Sequence, residues 1–151
     1  MSALEANADM IREELSQLAL LTDVGSRSAH DASLVQRGTW SEHVLLSAGS
    51  SVVHSANRCP RTTALLLRIP ALVACAQNGV GEALFSVLAP KTHLRPHCAS
   101  SNLRLTCHLP LVVPDGGCRL RVGDETRAWT PGKCAVFDDS FEHEVRHAGS
   151  C

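Results

Sequence analysis

Apolar positions along this chain follow two different rhythms. Near the start, Leu4, Ile11, Leu15 and Leu18 recur at helical spacing and predict an amphipathic helix from about Leu4 to about Leu20, opened by Ser2-Ala3-Leu4-Glu5 in the form of a capping box. From Thr22 to Thr39 the sequence is rich in Gly, Ser and Asp and predicts a loop or irregular connection. HVLLSAG after Trp40 and EALFSVLAP before Lys91 have the texture of short strands. Between them, Thr62 to Ala76 is compatible with either a helix or a buried strand, because its apolar run has no clean period. In the second half LRLTCHLPLVV, CRLRV, KCAVF and FEHEV are each bounded by turn chemistry: Pro114-Asp115-Gly116-Gly117, Gly123-Asp124, Thr130-Pro131-Gly132 and Asp138-Asp139-Ser140. Short strands behind an N-terminal helical portion predict a mainly β fold, a sandwich or jelly roll of the double-stranded β-helix type.

Alternation within two of these strands bears on chemistry. From Leu103 to Val113, the odd positions Leu103, Leu105, Cys107, Leu109, Leu111 and Val113 form one face, expected to lie in the core. Arg104, Thr106 and His108 lie on the other, which looks at solvent or into a polar cavity. In FEHEV the order is reversed. Phe141, His143 and Val145 share a face while Glu142 and Glu144 point away, so a histidine occupies the apolar side.

Composition narrows the picture. The 151 residues suit one domain, 1–151, and 44% hydrophobic with 19% charged residues is a soluble, globular balance. A formal net charge of -1 gives no electrostatic reason to expect nucleic acid as partner. The most apolar region is interrupted by Arg68, Pro70, Gln77 and Asn78, so no stretch reaches the roughly 20 residues of a bilayer span. Acidic residues near the N-terminus replace the basic start of an export signal. Seven cysteines without a C-x-x-C pair are read as reduced, mostly buried thiols, the other reading being one or two disulfides in an oxidising compartment.

A histidine on an apolar face is either a hydrogen-bonded core residue or, with a second histidine beside it, a metal ligand. His93, His97 and His108 are the candidates for that second ligand. None sits in an H-x-[DE] unit, so the usual triad of two histidines and a carboxylate is not spelled out. The residues alone lead to a candidate two-histidine metal site in a β-sandwich.

The ordered series PHCASSN, LTCHLPLVVP, CRLRVGDETRAW, GK and FDDSFEHEV resembles the aspartyl/asparaginyl β-hydroxylase family, iron(II)- and 2-oxoglutarate-dependent dioxygenases on a double-stranded β-helix. The resemblance extends from EANADMIREEL through Trp40 to the end of the chain. It implies that His97 and His143, 46 positions apart, hold the iron, with Ala99 where other dioxygenases have a carboxylate ligand. It further implies that Trp40, Ser86, Thr106 and His108 contact 2-oxoglutarate; Phe137 and Phe141, the apolar rings flanking the second ligand, are expected to wall its strand and exclude water.

Two departures accompany the resemblance. The best-known branch has a cosubstrate-contacting arginine at the Thr106 position. The family also has an arginine about ten residues beyond the second histidine, whereas this sequence ends at Cys151, eight residues beyond it. On this reading the domain is incomplete at its C-terminus, with its last strands missing. Loss of a bidentate carboxylate contact, about 1.5–3 kcal/mol, should weaken cosubstrate binding at least tenfold. The implied reaction couples decarboxylation of 2-oxoglutarate to hydroxylation of the β carbon of an Asp or Asn side chain in a protein substrate. Arg95, Arg104, Arg119 and Arg121 are basic side chains that could receive such a carboxylate. The alternatives are a lipid acyl-chain hydroxylase of the same family and a non-catalytic module of the same fold.

Overall fold

A computed structural model describes residues 1–20, 27–28, 32–47 and 57–149. They form two compact units, the first of Met1–Arg27 with Glu42–Ser86 and the second of Ser28–Ser41 with Val87–Cys151. Among the described residues no helix is long and apolar enough to cross a membrane.

The N-terminal periodicity makes two helices rather than one: α1, Ser2–Ala6, and α2, Ala8–Leu20, separated at Asn7, whose φ of -114° leaves the helical range. The expected capping box does not form. Met1 is the N-cap, no side chain caps the helix, and the Met1 carbonyl takes the N–H groups of Leu4 and Glu5. The ambiguous apolar run resolves into helices α3, Pro60–Leu66, and α4, Pro70–Gln77, each with proline in its first turn, where a missing N–H costs nothing.

Cys59, the N-cap of α3, supplies no side-chain hydrogen bond. Glu14 from α2 does so instead. Its Oε1 accepts from the Arg61 amide at 3.0 Å and its Oε2 from the Thr62 amide at 2.8 Å. Burial alone would raise the pKa of this carboxyl, but the bonds from Thr62 and Arg61 outweigh it and hold the carboxylate below its ordinary range.

The strands are β1, Arg27–Ser28; β2, Val35–Arg37; β3, Trp40–Leu46; β4, Ala83–Leu88; β5, His93–His97; β6, Thr106–His108; β7, Cys118–Val122; β8, Glu125–Ala128; β9, Ala135–Phe137; and β10, His143–His147. They make a three-stranded sheet in the order β1-β3-β4, a five-stranded sheet in the order β2-β5-β10-β7-β8, and a two-stranded sheet of β6 and β9. Pairings in the five- and two-stranded sheets are antiparallel. The expected strand-rich remainder behind a helical portion is therefore present.

Several boundaries differ from the sequence expectation. Within the expected loop from Thr22 to Thr39, Val35–Arg37 forms an edge strand on β5; residues 22–26 and 29–31 of that loop, and 48–49 of HVLLSAG, lie outside the described residues. Strand β8 had no apolar signal because all four of its residues are exposed. The stretch from Leu103 to Val113 is extended only over the three residues of β6. Its apolar face is not core: Leu103 is 70% and Leu105 65% exposed. The six described cysteines are free thiols.

In the second unit Leu94, Leu120 and Val145, one each from β5, β7 and β10, form a buried cluster. Val35, Trp40, Leu88, Val122, Trp129 and Phe137 pack against it. Gly38, at φ +86°, lets the chain between β2 and β3 pass against Thr92, whose Oγ1 accepts from the Thr39 amide at 3.0 Å. A side chain at Gly38 would overlap Thr92.

Candidate functional site

The central strand of the five-stranded sheet is β10, and its first residue, His143, pairs directly with His97, the last residue of β5. From that point the two strands fall out of step, with three residues advanced on β5 for two on β10. This bulge contains Pro96, a residue without an N–H and so tolerated where the ladder is broken. The cross-strand pairing sets the two imidazoles 4.1 Å apart, ring centre to ring centre.

Their hydrogen bonds define which nitrogens are free. Nδ1 of His97 lies 2.8 Å from the Arg95 carbonyl, and Nδ1 of His143 lies 3.0 Å from the Phe141 carbonyl. A carbonyl only accepts, so each Nδ1 carries the proton and each Nε2 is left with its lone pair for a metal or another acid. Burial lowers the pKa of His143, the Phe141 carbonyl opposes this, and neighbouring His97 lowers it further, favouring the neutral ring that a ligand must be.

Strands β6 and β9 bring the other polar groups. Thr106 pairs with Phe137 and His108 with Ala135, so the polar face of β6 turns toward the ring of Phe137. Phe137 meets His108 edge-on at 4.9 Å and His143 at 5.7 Å, linking the two histidines through one apolar ring. Burial, reinforced by the charge of His143 and opposed by that of Asp139, pushes the His108 pKa down to about 4. His108 is thus a neutral group near pH 7, able to donate one hydrogen bond and accept another. The Trp129 ring stands 6.0 Å from it.

Asp138 shapes the turn as expected, its Oδ1 accepting from the Ser140 amide at 2.9 Å. Asp139 does more. It is 7% exposed, its Oδ2 accepts from the Thr106 hydroxyl at 2.7 Å, and Arg104 stands 3.8 Å away. Its Oδ1 is buried with no hydrogen-bond partner. An orphaned carboxylate oxygen is costly unless a bound molecule brings it a proton donor. Sequence reasoning missed Asp139 and Trp129 as members of this cluster; the signal for Asp139 was its place in the turn leading directly into the histidine strand.

The remaining candidates are placed as follows. Trp40 lies in the second unit, against the Leu94–Leu120–Val145 cluster. Ser86 is exposed on β4 in the first unit. Phe141 does not wall the site: it precedes β10 and is 61% exposed. His93 is no ligand partner for His143. It is opposite Arg146 and hydrogen-bonds Glu144 at 3.0 Å, on the reverse face of the sheet. Arg119 and Arg121 belong to that reverse face too, since Arg121 pairs with Glu144 while His143 pairs with Val122. Arg104, by contrast, is on the histidine side through Asp139.

Among the described residues no three His, Cys, Asp or Glu side chains converge as a metal-binding group. The convergence is of two imidazoles with free Nε2 atoms, a donor set that suits a divalent transition metal whose other positions are filled by small molecules.

The family model described as aspartyl/asparaginyl beta-hydroxylase matches residues 5–151. An aspartyl/asparaginyl beta-hydroxylase of Homo sapiens is 38% identical over 144 residues, covering 95% of this chain and 18% of that protein. Its Mus musculus counterpart is 37% identical over 143 residues, covering 95% of this chain and 19% of that protein. The human aspartate beta-hydroxylase domain-containing protein 2 is 42% identical over 114 residues, covering 75% of this chain and 30% of that protein. The chain thus spans less than a third of the length of these curated relatives.

Proposed function

The chain belongs to the aspartyl/asparaginyl β-hydroxylase family, and from that premise we propose that it is an iron(II)- and 2-oxoglutarate-dependent dioxygenase hydroxylating the β carbon of Asp or Asn side chains in proteins. Its fold, on this reading, is a double-stranded β-helix in which the five- and two-stranded sheets are the facing layers. The observation that carries the reading is the His97–His143 pair, 4.1 Å apart with both Nδ1 protons committed to backbone carbonyls.

In this reading His97 and His143 hold the iron through Nε2, and the backbone bonds to Arg95 and Phe141 fix ring orientation and tautomer. Bound iron and 2-oxoglutarate supply the oxidising chemistry; the protein supplies binding, orientation and a dry wall. Neutral His108 donates an N–H to a carboxylate of 2-oxoglutarate, with Trp40 of the same unit in that contact set. Thr106 contributes differently from an arginine. Its hydroxyl proton is already given to Asp139, so it approaches the cosubstrate as an acceptor and holds Asp139 in place. Asp139 offers its unpartnered Oδ1 to a proton donor on a bound molecule, and Arg104 beside it receives the substrate carboxylate. Phe137 excludes water between the two histidines.

The test is anaerobic iron(II) titration of wild type, His97→Ala and His143→Ala, followed by succinate formation from 2-oxoglutarate in the presence of an Asp-containing peptide. Loss of either imidazole should lower iron affinity by at least about 100-fold, beyond the effect of losing a supporting hydrogen bond. Variants that bind iron as wild type does would overturn the ligand assignment. A wild type that binds iron but turns over no 2-oxoglutarate would assign the chain to a non-catalytic role.

A further inference from the structure

The reverse face of the five-stranded sheet, away from His97 and His143, bears an open cleft of ≈ 210 Å³ lined by Arg119, Arg121, Thr126, Glu144 and Arg146. Three guanidinium groups stand there with one carboxylate, Glu144, which of the three pairs with only Arg121 and Arg146. We propose that this cleft binds an acidic polypeptide segment, one carboxylate of which bridges Arg119 and Arg146.

Register creates the site. Arg146 on β10 lies directly opposite Arg119 on β7, and Glu144 directly opposite Arg121. Like charges facing each other across an antiparallel pair repel, so the empty cleft holds an unfavourable contact that a bound anion relieves. Glu144 cannot relieve it alone. Its carboxylate already accepts from His93 and from Arg121 Nε, each at 3.0 Å, and reaches Arg146 only at 3.3 Å. Arg121 is spent as well, on Glu144, on Glu142 at 2.9 Å and on the Gly123 carbonyl at 2.8 Å.

Arg119 is different. It is exposed and, among the described residues, has neither a hydrogen-bond acceptor nor an ion-pair partner. The Arg146 side chain is 60% exposed, so most of its donors also face outward. Two guanidinium forks side by side with unused donors match the planar oxygens of a carboxylate.

An extended peptide fits better than a free ion. Arg119 and Arg121 stand two residues apart on one strand, about 6.7 Å at the rise of an antiparallel strand, which is the spacing between alternate side chains of an extended peptide. Thr126, opposite Arg121, adds a hydroxyl at the end of that line. A segment with acids at alternate positions would place one carboxylate between Arg119 and Arg146 and the next near the Thr126 hydroxyl.

The experiment uses the full chain and a fluorescently labelled peptide with glutamate at alternate positions, with glutamine at those positions as control. Anisotropy titration should show the glutamate peptide binding at least about tenfold tighter than its control, with affinity falling as salt is raised. Arg119→Ala and Arg146→Ala should each weaken it at least about fivefold, and Arg119→Glu should abolish it. Because Arg119 has no partner to lose among the described residues, its variants should keep the wild-type circular dichroism and melting temperature. Equal binding of the two peptides, or binding unchanged in the Arg119→Ala/Arg146→Ala double variant, would overturn the proposal. Inorganic phosphate displacing the peptide at concentrations near the peptide's own Kd would also overturn it, since the cleft would then be a simple anion site.

Discussion

Replacing Glu14 tests whether a helix can be capped from a neighbouring helix. The first-turn amides of α3 at Arg61 and Thr62 have no local acceptor side chain, and both bond to the two oxygens of Glu14, which is only 2% exposed. Arg61 adds a longer bond from Nε at 3.3 Å, half exposed and therefore of little weight. Glu14→Ala leaves two amides unsatisfied, and at about 1–3 kcal/mol for each the expected loss is roughly 2–6 kcal/mol. Glu14→Gln keeps one acceptor oxygen but turns an NH2 group toward the second amide, so about half of that loss is expected. Urea titration followed by circular dichroism at pH 7 measures both.

The pH dependence gives a second readout with a fixed sign. The folded pKa of Glu14 is depressed, so its contribution is fully present above the unfolded value of about 4.3 and is lost as pH falls through the lower folded value. The stability gap between wild type and Glu14→Gln should be flat from pH 7 to about 5.5 and shrink on further acidification. The same carboxylate, with burial the larger cause, pushes the Cys59 thiol up to about 11. A gap below about 0.5 kcal/mol at pH 7, or one that does not shrink in acid, would refute the cap as a determinant of stability.

Other outcomes follow from the second unit. Gly38→Ala should cost at least about 1–2 kcal/mol for the left-handed backbone, plus the overlap with Thr92, and thermal melting reads the loss. Asp139→Asn is nearly isosteric and should retain fold and iron affinity while lowering succinate formation at least about tenfold, because the buried acceptor loses its charge; unchanged turnover would remove Asp139 from the site. Phe137→Ala opens space between His108 and His143, and should destabilise by about 2–3 kcal/mol while weakening iron binding, both measured on the same preparation.

Several elements were legible in the residues because their causes are local. CRLRV is bounded by Gly-Gly and Gly-Asp, and it forms β7 with the expected ends. Asp138 in the turn before the histidine strand has a side chain that bonds the amide two residues on, and it does so. Other elements were hidden because their causes are not local. β5 contains a proline and three polar residues and had no strand signal, yet it pairs on both sides, with β2 and with β10. β8 is held by pairing with β7 rather than by burial, so it carries no apolar face to read.

What the sequence determined by itself is which side chains share a face. Alternation set His143 with Val145 against Glu142 and Glu144, and grouped Arg104, Thr106 and His108, because successive side chains of an extended chain must point to opposite sides. Which face would be covered was decided only by tertiary structure. The Leu103–Leu105 side stands in water while the side with Thr106 and His108 meets Phe137, since coverage depends on what another strand brings and not on the strand's own hydropathy. The meeting of His97 with His143 is of the same kind. It follows from one cross-strand register and a bulge at Pro96, and a slip of a single residue would have sent one ring to the opposite side of the sheet.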